Sequence, residues 1–212
     1  MPKLVVLCGL QCSGKSTIAK EAAKDNFEIL SSDQLRKDHP GWDNEKVFKT
    51  LHAKMNNLLS INKNVLIDAT NTTVKMRKQI FANLRIDCEK ICYIMNTPYD
   101  ECLERLKIRN QDESSHYVPE DVLKKYYYSF EIPFYEEGWD IIKFHKKPEF
   151  INSEEFLLRL RMVASTFDQD NMHHTQCLGD HMNTVRDILL LTSEMLGKSG
   201  EYHDNGKLFT QT

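Results

Sequence analysis

At 212 residues, the chain has room for one sizeable α/β domain and an appendage. A formal net charge of −3 and a pI near 6.2 exclude bulk basic charge as a route to nucleic acid, so any such contact must come from a local groove. No run approaches a membrane span, the stretch before the first strand is too short for a signal peptide, and the six scattered cysteines read as free thiols of a cytoplasmic protein.

In chain order, residues 3–8 (KLVVLC) are a short apolar run suited to a buried parallel strand. Gly9-Leu10-Gln11-Cys12-Ser13-Gly14-Lys15-Ser16-Thr17 then fills the Gly-x-x-x-x-Gly-Lys-Ser/Thr pattern of a P-loop. Gly9 and Gly14 let the backbone turn tightly enough to aim successive N–H groups at one anion. Lys15 is placed to reach the β- and γ-phosphates, and the Ser16 hydroxyl to sit on Mg²⁺. The helix-forming STIAKEAAK that follows adds the positive end of its dipole. A mere Gly-rich turn is the bland alternative, and the strand before and helix after argue against it.

Residues 27–30 read as a second strand, followed at once by Ser31-Ser32-Asp33. Groups at the carboxyl ends of strands in an open α/β sheet line the ligand crevice, which puts Asp33 opposite the P-loop. Residues 43–61 predict a helix with Val47, Leu51, Met55, Leu58 and Leu59 on an apolar stripe. Val65-Leu66-Ile67-Asp68 has the form of a Walker B strand, whose aspartate holds Mg²⁺ directly or through water. Residues 69–72 are expected to cap the next helix, which turns Met76, Ile80, Phe81 and Leu84 to the core. Residues 91–95 and 140–144 supply the fourth and fifth strands. Strands alternating with helices of this length make a doubly wound parallel sheet. Cys88 and Cys92 lack zinc-ribbon spacing and read as small buried hydrophobes.

Between the fourth and fifth strands, Arg105 and Arg109 share one helix face at i, i+4 spacing, ahead of a polar loop and a helix opened by Pro119. That is the plan of a lid whose arginines close on ATP phosphates, against the bland reading of solvated surface charge. Asp33 suits a base that takes the proton from an attacking hydroxyl. Arg36, one helical turn on, is placed to grip an acceptor phosphate. Alternatively, Ser31-Ser32-Asp33 caps a helix, and the two readings are compatible.

Residues from about 1 to 150 resemble the P-loop 5′-hydroxyl polynucleotide kinases of bacteriophage and bacterial RNA-repair enzymes. The motifs are GLQCSGKST at 9–17, SSDQLR at 31–36, LIDATN at 66–71, and the lid ERLKIRN at 104–110 with YVPEDVLKKYYYSF at 117–130. The resemblance implies a P-loop kinase-type parallel sheet with a helical lid, ATP with Mg²⁺, and a 5′-OH end of RNA or DNA as acceptor. It implies phosphate and Mg²⁺ binding by Lys15 and Ser16, and Asp33 as general base. Arg36 would hold the phosphate next to the 5′-OH, Asp68 would orient Arg36 or the metal shell, and Arg105 and Arg109 would be the lid arginines. Small-molecule kinases and ATP-dependent switch modules share this scaffold, so the acceptor is not settled by it. No membrane contact is expected, and self-association into a homo-oligomer is left open.

Residues 151–212 change character and are expected to form a small all-α segment. A His-rich run precedes His181, and His203-Asp204-Asn205-Gly206-Lys207 follows further on. This resembles the opening of an HD-type phosphohydrolase domain, which implies His181, His203 and Asp204 as candidate metal ligands. The rest of that family's ligand set has no counterpart in the chain, and an incomplete set binds metal weakly. The Asp-x-Asp-Gly-Thr motif of the phosphatase half of phage repair enzymes is absent.

Overall fold

The computed structural model describes residues 1–112, 117–133 and 135–145. Strands that are apolar at nearly every position, rather than every second one, are stable only with both faces covered. Here β1 (Lys3–Cys8), β2 (Phe27–Ser31), β3 (Asn64–Asp68), β4 (Glu89–Ile94) and β5 (Ile141–Phe144) form one parallel sheet in the order β2-β3-β1-β4-β5. Val5, Leu7, Leu66, Ile91 and Tyr93 pack with Ile18, Ala19 and Ala22 of α1 (Lys15–Lys24). The sheet registers place Ser31 beside Asp68, and Cys8 beside Ile94. The ends of β2 and β3 therefore come together next to the loop that leaves β1.

Three of the helices start where a side chain satisfies a free N–H group. The Ser31 hydroxyl accepts from Gln34 N (3.3 Å) to start α2 (Ser32–Asp38), and Asp43 Oδ1 accepts from Lys46 N (2.8 Å) to start α3 (Asn44–Ser60). Val47, Leu51, Met55 and Leu59 bury the predicted stripe of α3, with Leu58 at its edge and His52 unexpectedly buried beside it. The cap of α4 (Val74–Asn83) is Thr73, which accepts from Met76 N (3.3 Å), rather than a residue of 69–72. Asn71 in that stretch is used otherwise. It adopts a positive φ of 47° and donates from Nδ2 to Leu7 O (2.8 Å), tying the loop after β3 to β1.

The predicted core face of α4 is only partly buried: Ile80 is covered, whereas Met76, Phe81 and Leu84 are half-exposed. Its fully buried side chain is Arg77, at 0 % exposure. The guanidinium donates to both Glu137 oxygens (2.7 Å each) and to Asn71 O (3.1 Å). Burial works against that charge and is the largest single influence, but the Glu137 hydrogen bonds together with the charges of Cys8, Glu137 and Cys92 hold Arg77 above its ordinary pKa.

The two lid helices are α5 (Tyr99–Arg109) and α6 (Glu120–Tyr128). Asn110 clamps the chain between them, donating to Val118 O (2.8 Å) and accepting from Val118 N (3.1 Å). Beyond α6, Glu131 N donates to Thr72 O (2.8 Å) while its carboxylate accepts from Val74 N (2.7 Å), so the returning chain covers the start of α4. Cys8, Cys12, Cys88, Cys92 and Cys102 are free thiols, with Cys88 and Cys92 buried as expected. Residues 151–212, including His181, His203 and Asp204, lie outside the described residues. Among the described residues, no helix is long and apolar enough to cross a membrane.

Candidate active site

The loop between β1 and α1 is built for close approach. A Cβ on Gly9 would lie 2.6 Å from Met95 Cβ, a distance that side chains do not tolerate. Cys12 and Gly14 take positive φ of 60° and 97°, which turns the loop over the start of α1. Gly9 N donates to Thr70 O (2.9 Å), holding the loop against the β3 side, and Ser13 N donates to Leu10 O (3.3 Å) within the loop. The Thr97 hydroxyl donates to Ser13 O (2.8 Å) from the β4 side. The predicted loop residues Gln11, Cys12, Ser13, Gly14, Lys15, Ser16 and Thr17 all line one cleft, while Gly9 and Leu10 are buried and do not line it.

Lys15 is buried, and its Nζ donates to Gly9 O (3.0 Å) and to Leu10 O. Burial pushes its pKa down, with the Asp68 charge partly offsetting the loss. The Ser16 hydroxyl donates to Asp68 Oδ2 (3.1 Å). Burial raises the Asp68 carboxyl, while Lys15 and the Ser16 hydrogen bond pull it back. Asp68 thus meets Ser16 and Lys15, and the hydrogen bonds of Arg36 go elsewhere. A hydroxyl and a carboxylate are the hard oxygen donors that Mg²⁺ accepts. Among the described residues, no group of three or more His, Cys, Asp or Glu could cage a metal unaided.

Across the cleft, Arg36 Nη1 donates to Asp33 Oδ1 (3.1 Å) and Nη2 to Asn44 Oδ1 (3.0 Å). The guanidinium also lies over the Phe48 ring, 5.8 Å from its centroid. The Asp33 side chain is 74 % exposed and lines the cleft, so a ligand can reach it. On the lid, Arg105 donates to Cys12 O (3.3 Å) and pairs with Glu101, while Arg109 lines the cleft one turn further on. The cleft encloses about 1580 Å³, enough for a nucleotide and a second molecule together. Asn71, Thr97, Phe48 and His52 also shape it and went unsingled by sequence reasoning. Only Asn71 carried a signal, as the last residue of LIDATN.

This parallel sheet order and a P-loop at the end of its central strand define a P-loop kinase-like nucleotide-binding domain. The chain belongs to the AAA domain family AAA_33, whose model matches residues 4–133, and it carries the P-loop site of a kinase-like fold that uses ATP with Mg²⁺. It is 28 % identical to L-seryl-tRNA(Sec) kinase of Methanococcus maripaludis, covering 65 % of this chain and 56 % of the relative. It is 26 % identical to a chain of the solved Pnkp1/Rnl/Hen1 RNA repair complex, with a TM-score of 0.54 over 59 % of this chain and 42 % of that one. Chaetomium thermophilum Kti12, solved in complex with ADP-AlF3, shares the fold at 17 % identity and a TM-score of 0.52, covering 77 % of this chain and 96 % of the other. The chain spans about half the length of the first two relatives.

Proposed function

We propose that the chain transfers the γ-phosphoryl group of ATP to the 5′-hydroxyl end of RNA or DNA. The observation that carries this reading is the Asp33–Arg36 pair, held 3.1 Å apart on the cleft wall facing the P-loop. A carboxylate and a guanidinium one helical turn apart suit a hydroxyl and a phosphate that belong to one acceptor. The likeness to a chain of an RNA repair complex points the same way.

In this reading the P-loop N–H groups and Lys15 hold the ATP phosphates, with Ser16 and Asp68 as the residues that would hold Mg²⁺. Bound there, the ion would neutralise developing charge on the β- and γ-phosphate oxygens. The acceptor oxygen bonds to the γ-phosphorus as the bridge to the β-phosphate breaks, and ADP leaves. Asp33 takes the hydroxyl proton. Arg36 fixes the phosphate on the 3′ side of the reacting nucleoside. Arg105, already against the P-loop at Cys12 O, and Arg109 offset the negative charge of the transferring group. Catalysis is then mostly positioning and charge neutralisation.

The 28 % identity to L-seryl-tRNA(Sec) kinase favours a second reading, a hydroxyl on an aminoacylated RNA as acceptor. One experiment separates the two. Labelled γ-phosphate from ATP with Mg²⁺ is offered to 5′-OH RNA and DNA oligonucleotides and, in parallel, to seryl-tRNA. Label on the oligonucleotide, lost in Asp33→Ala, supports the first reading; label on seryl-tRNA alone replaces it with the second. ATP hydrolysis without transfer to either points to a small-molecule acceptor, and no turnover at all to an ATP-dependent switch.

A further inference from the structure

The cleft has an arm that the phosphoryl-transfer groups do not use. It runs between α3 and α4, and is walled by Phe48, His52, Met76 and Ile80 with the Gln79 and Asn83 amides at its edge. Asn56 closes the far end, donating to Asn83 O (2.8 Å) and accepting from Arg85 N (2.8 Å). The near end opens at Arg36. His52 is 7 % exposed, and its Nε2 has no hydrogen-bond partner among the described residues. Burial lowers the His52 pKa, so near neutral pH the ring is uncharged and carries one donor and one acceptor nitrogen. A buried polar atom without a partner is costly enough to call for an explanation. Apolar side walls with amide and imidazole groups at the edges match the faces and edges of a nucleobase.

Order along the wall selects which base. Asp33, Arg36 and Phe48 follow one another outward, linked by the 3.1 Å ion pair and the 5.8 Å guanidinium–ring contact. If the reacting 5′-OH sits at Asp33 and the next phosphate at Arg36, the nucleotide beyond that phosphate arrives at Phe48. Resting on the proposed kinase reading, we propose that the α3–α4 furrow binds the base of the second nucleotide of the acceptor strand, stacked against Phe48 with His52 on its edge. Phe48 and His52 are then specificity-determining positioning residues.

The test uses the full chain and three acceptors: a nucleoside 3′-phosphate, a 5′-OH dinucleotide, and the same dinucleotide abasic at its second position. Equilibrium binding is measured by competition against a fluorescent 5′-OH dinucleotide in the presence of a non-hydrolysable ATP analogue, and transfer is measured alongside. Base stacking predicts that the intact dinucleotide binds about tenfold or more tighter than the abasic one. The same ratio is expected in KM, with kcat little changed. In Phe48→Ala and in His52→Gln, each checked for native circular dichroism, the intact-to-abasic ratio falls toward one. Equal affinity of the wild-type protein for intact and abasic acceptors overturns the furrow proposal, with no variant needed. Base-dependent binding without transfer upholds the furrow and counts against the kinase reading. Transfer without base dependence does the reverse, and absence of binding to any acceptor overturns the furrow proposal as well.

Discussion

Replacing Arg77 with Met probes whether a buried ion pair, rather than apolar packing, fastens α4 to the rest of the domain. The substitution keeps most of the side-chain volume and removes four donated hydrogen bonds, two to Glu137, one to Asn71 O and a longer one to Cys8 Sγ (3.9 Å). Asn71 O retains the Cys8 thiol at 3.3 Å, so it is not stripped of partners. The larger loss falls on the Glu137 carboxylate, 6 % exposed, which keeps Trp139 Nε1 at 3.2 Å among its partners. Removing one partner of such a pair costs about 3–5 kcal/mol, because an uncompensated charge stays buried. For a protein of this size, 1 kcal/mol moves Tm by about 2–4 °C, so the loss is roughly 6–20 °C. Glu137→Leu alone strands the guanidinium and costs a similar amount. The double variant Arg77→Met/Glu137→Leu removes both charges of this pair, and the Trp139 N–H loses its acceptor at about 1–3 kcal/mol. Urea unfolding followed by circular dichroism on all four proteins gives the coupling. A double variant that loses the sum of the two single losses refutes the argument, since the two charges would then act independently.

Lys15→Ala and Asp33→Ala are each expected to lower phosphoryl transfer about 10²–10⁴-fold while native circular dichroism is kept; near-full transfer by Asp33→Ala would remove it as the base. Arg36→Ala should cost about tenfold or more in kcat/KM for acceptors carrying a 3′-phosphate, and much less in ATP hydrolysis, because a lost charge-assisted hydrogen bond is worth about 1.5–3 kcal/mol; equal losses in both would reassign it to the nucleotide. Burial pushes the Cys88 and Cys102 thiols from 9.0 up to about 11. Since the folded values lie above the unfolded ones, this contribution to stability is complete below pH 9 and is lost as pH rises through 11. The urea midpoint should therefore fall across that window, and fall less in Cys88→Ala/Cys102→Ala. A midpoint as steep in the double variant as in wild type would assign the loss to other groups.

The sequence by itself determined the P-loop, the parallel sheet and the face of α3 that enters the core. These depend on local physics: glycines where a Cβ cannot fit, strand runs apolar at nearly every position, and a repeat of hydrophobic residues matched to the helix turn. It also placed Asp33, Asp68 and the lid arginines around one cleft, because in a parallel sheet the strand ends share one edge. Only the tertiary structure decided the partners. Asp68 meets Ser16 rather than Arg36, since the register of β2 on β3 sets Asp68 beside Ser31 while the guanidinium of Arg36 turns to Asp33, Asn44 and Phe48. The burial of Arg77 was illegible locally, because a lone arginine on a helix reads as solvated until Glu137, sixty residues on, is brought beneath it. The same holds for His52 and Phe48. Each reads as core or as surface along α3, and the furrow between α3 and α4 exists only once the fold brings the two helices together.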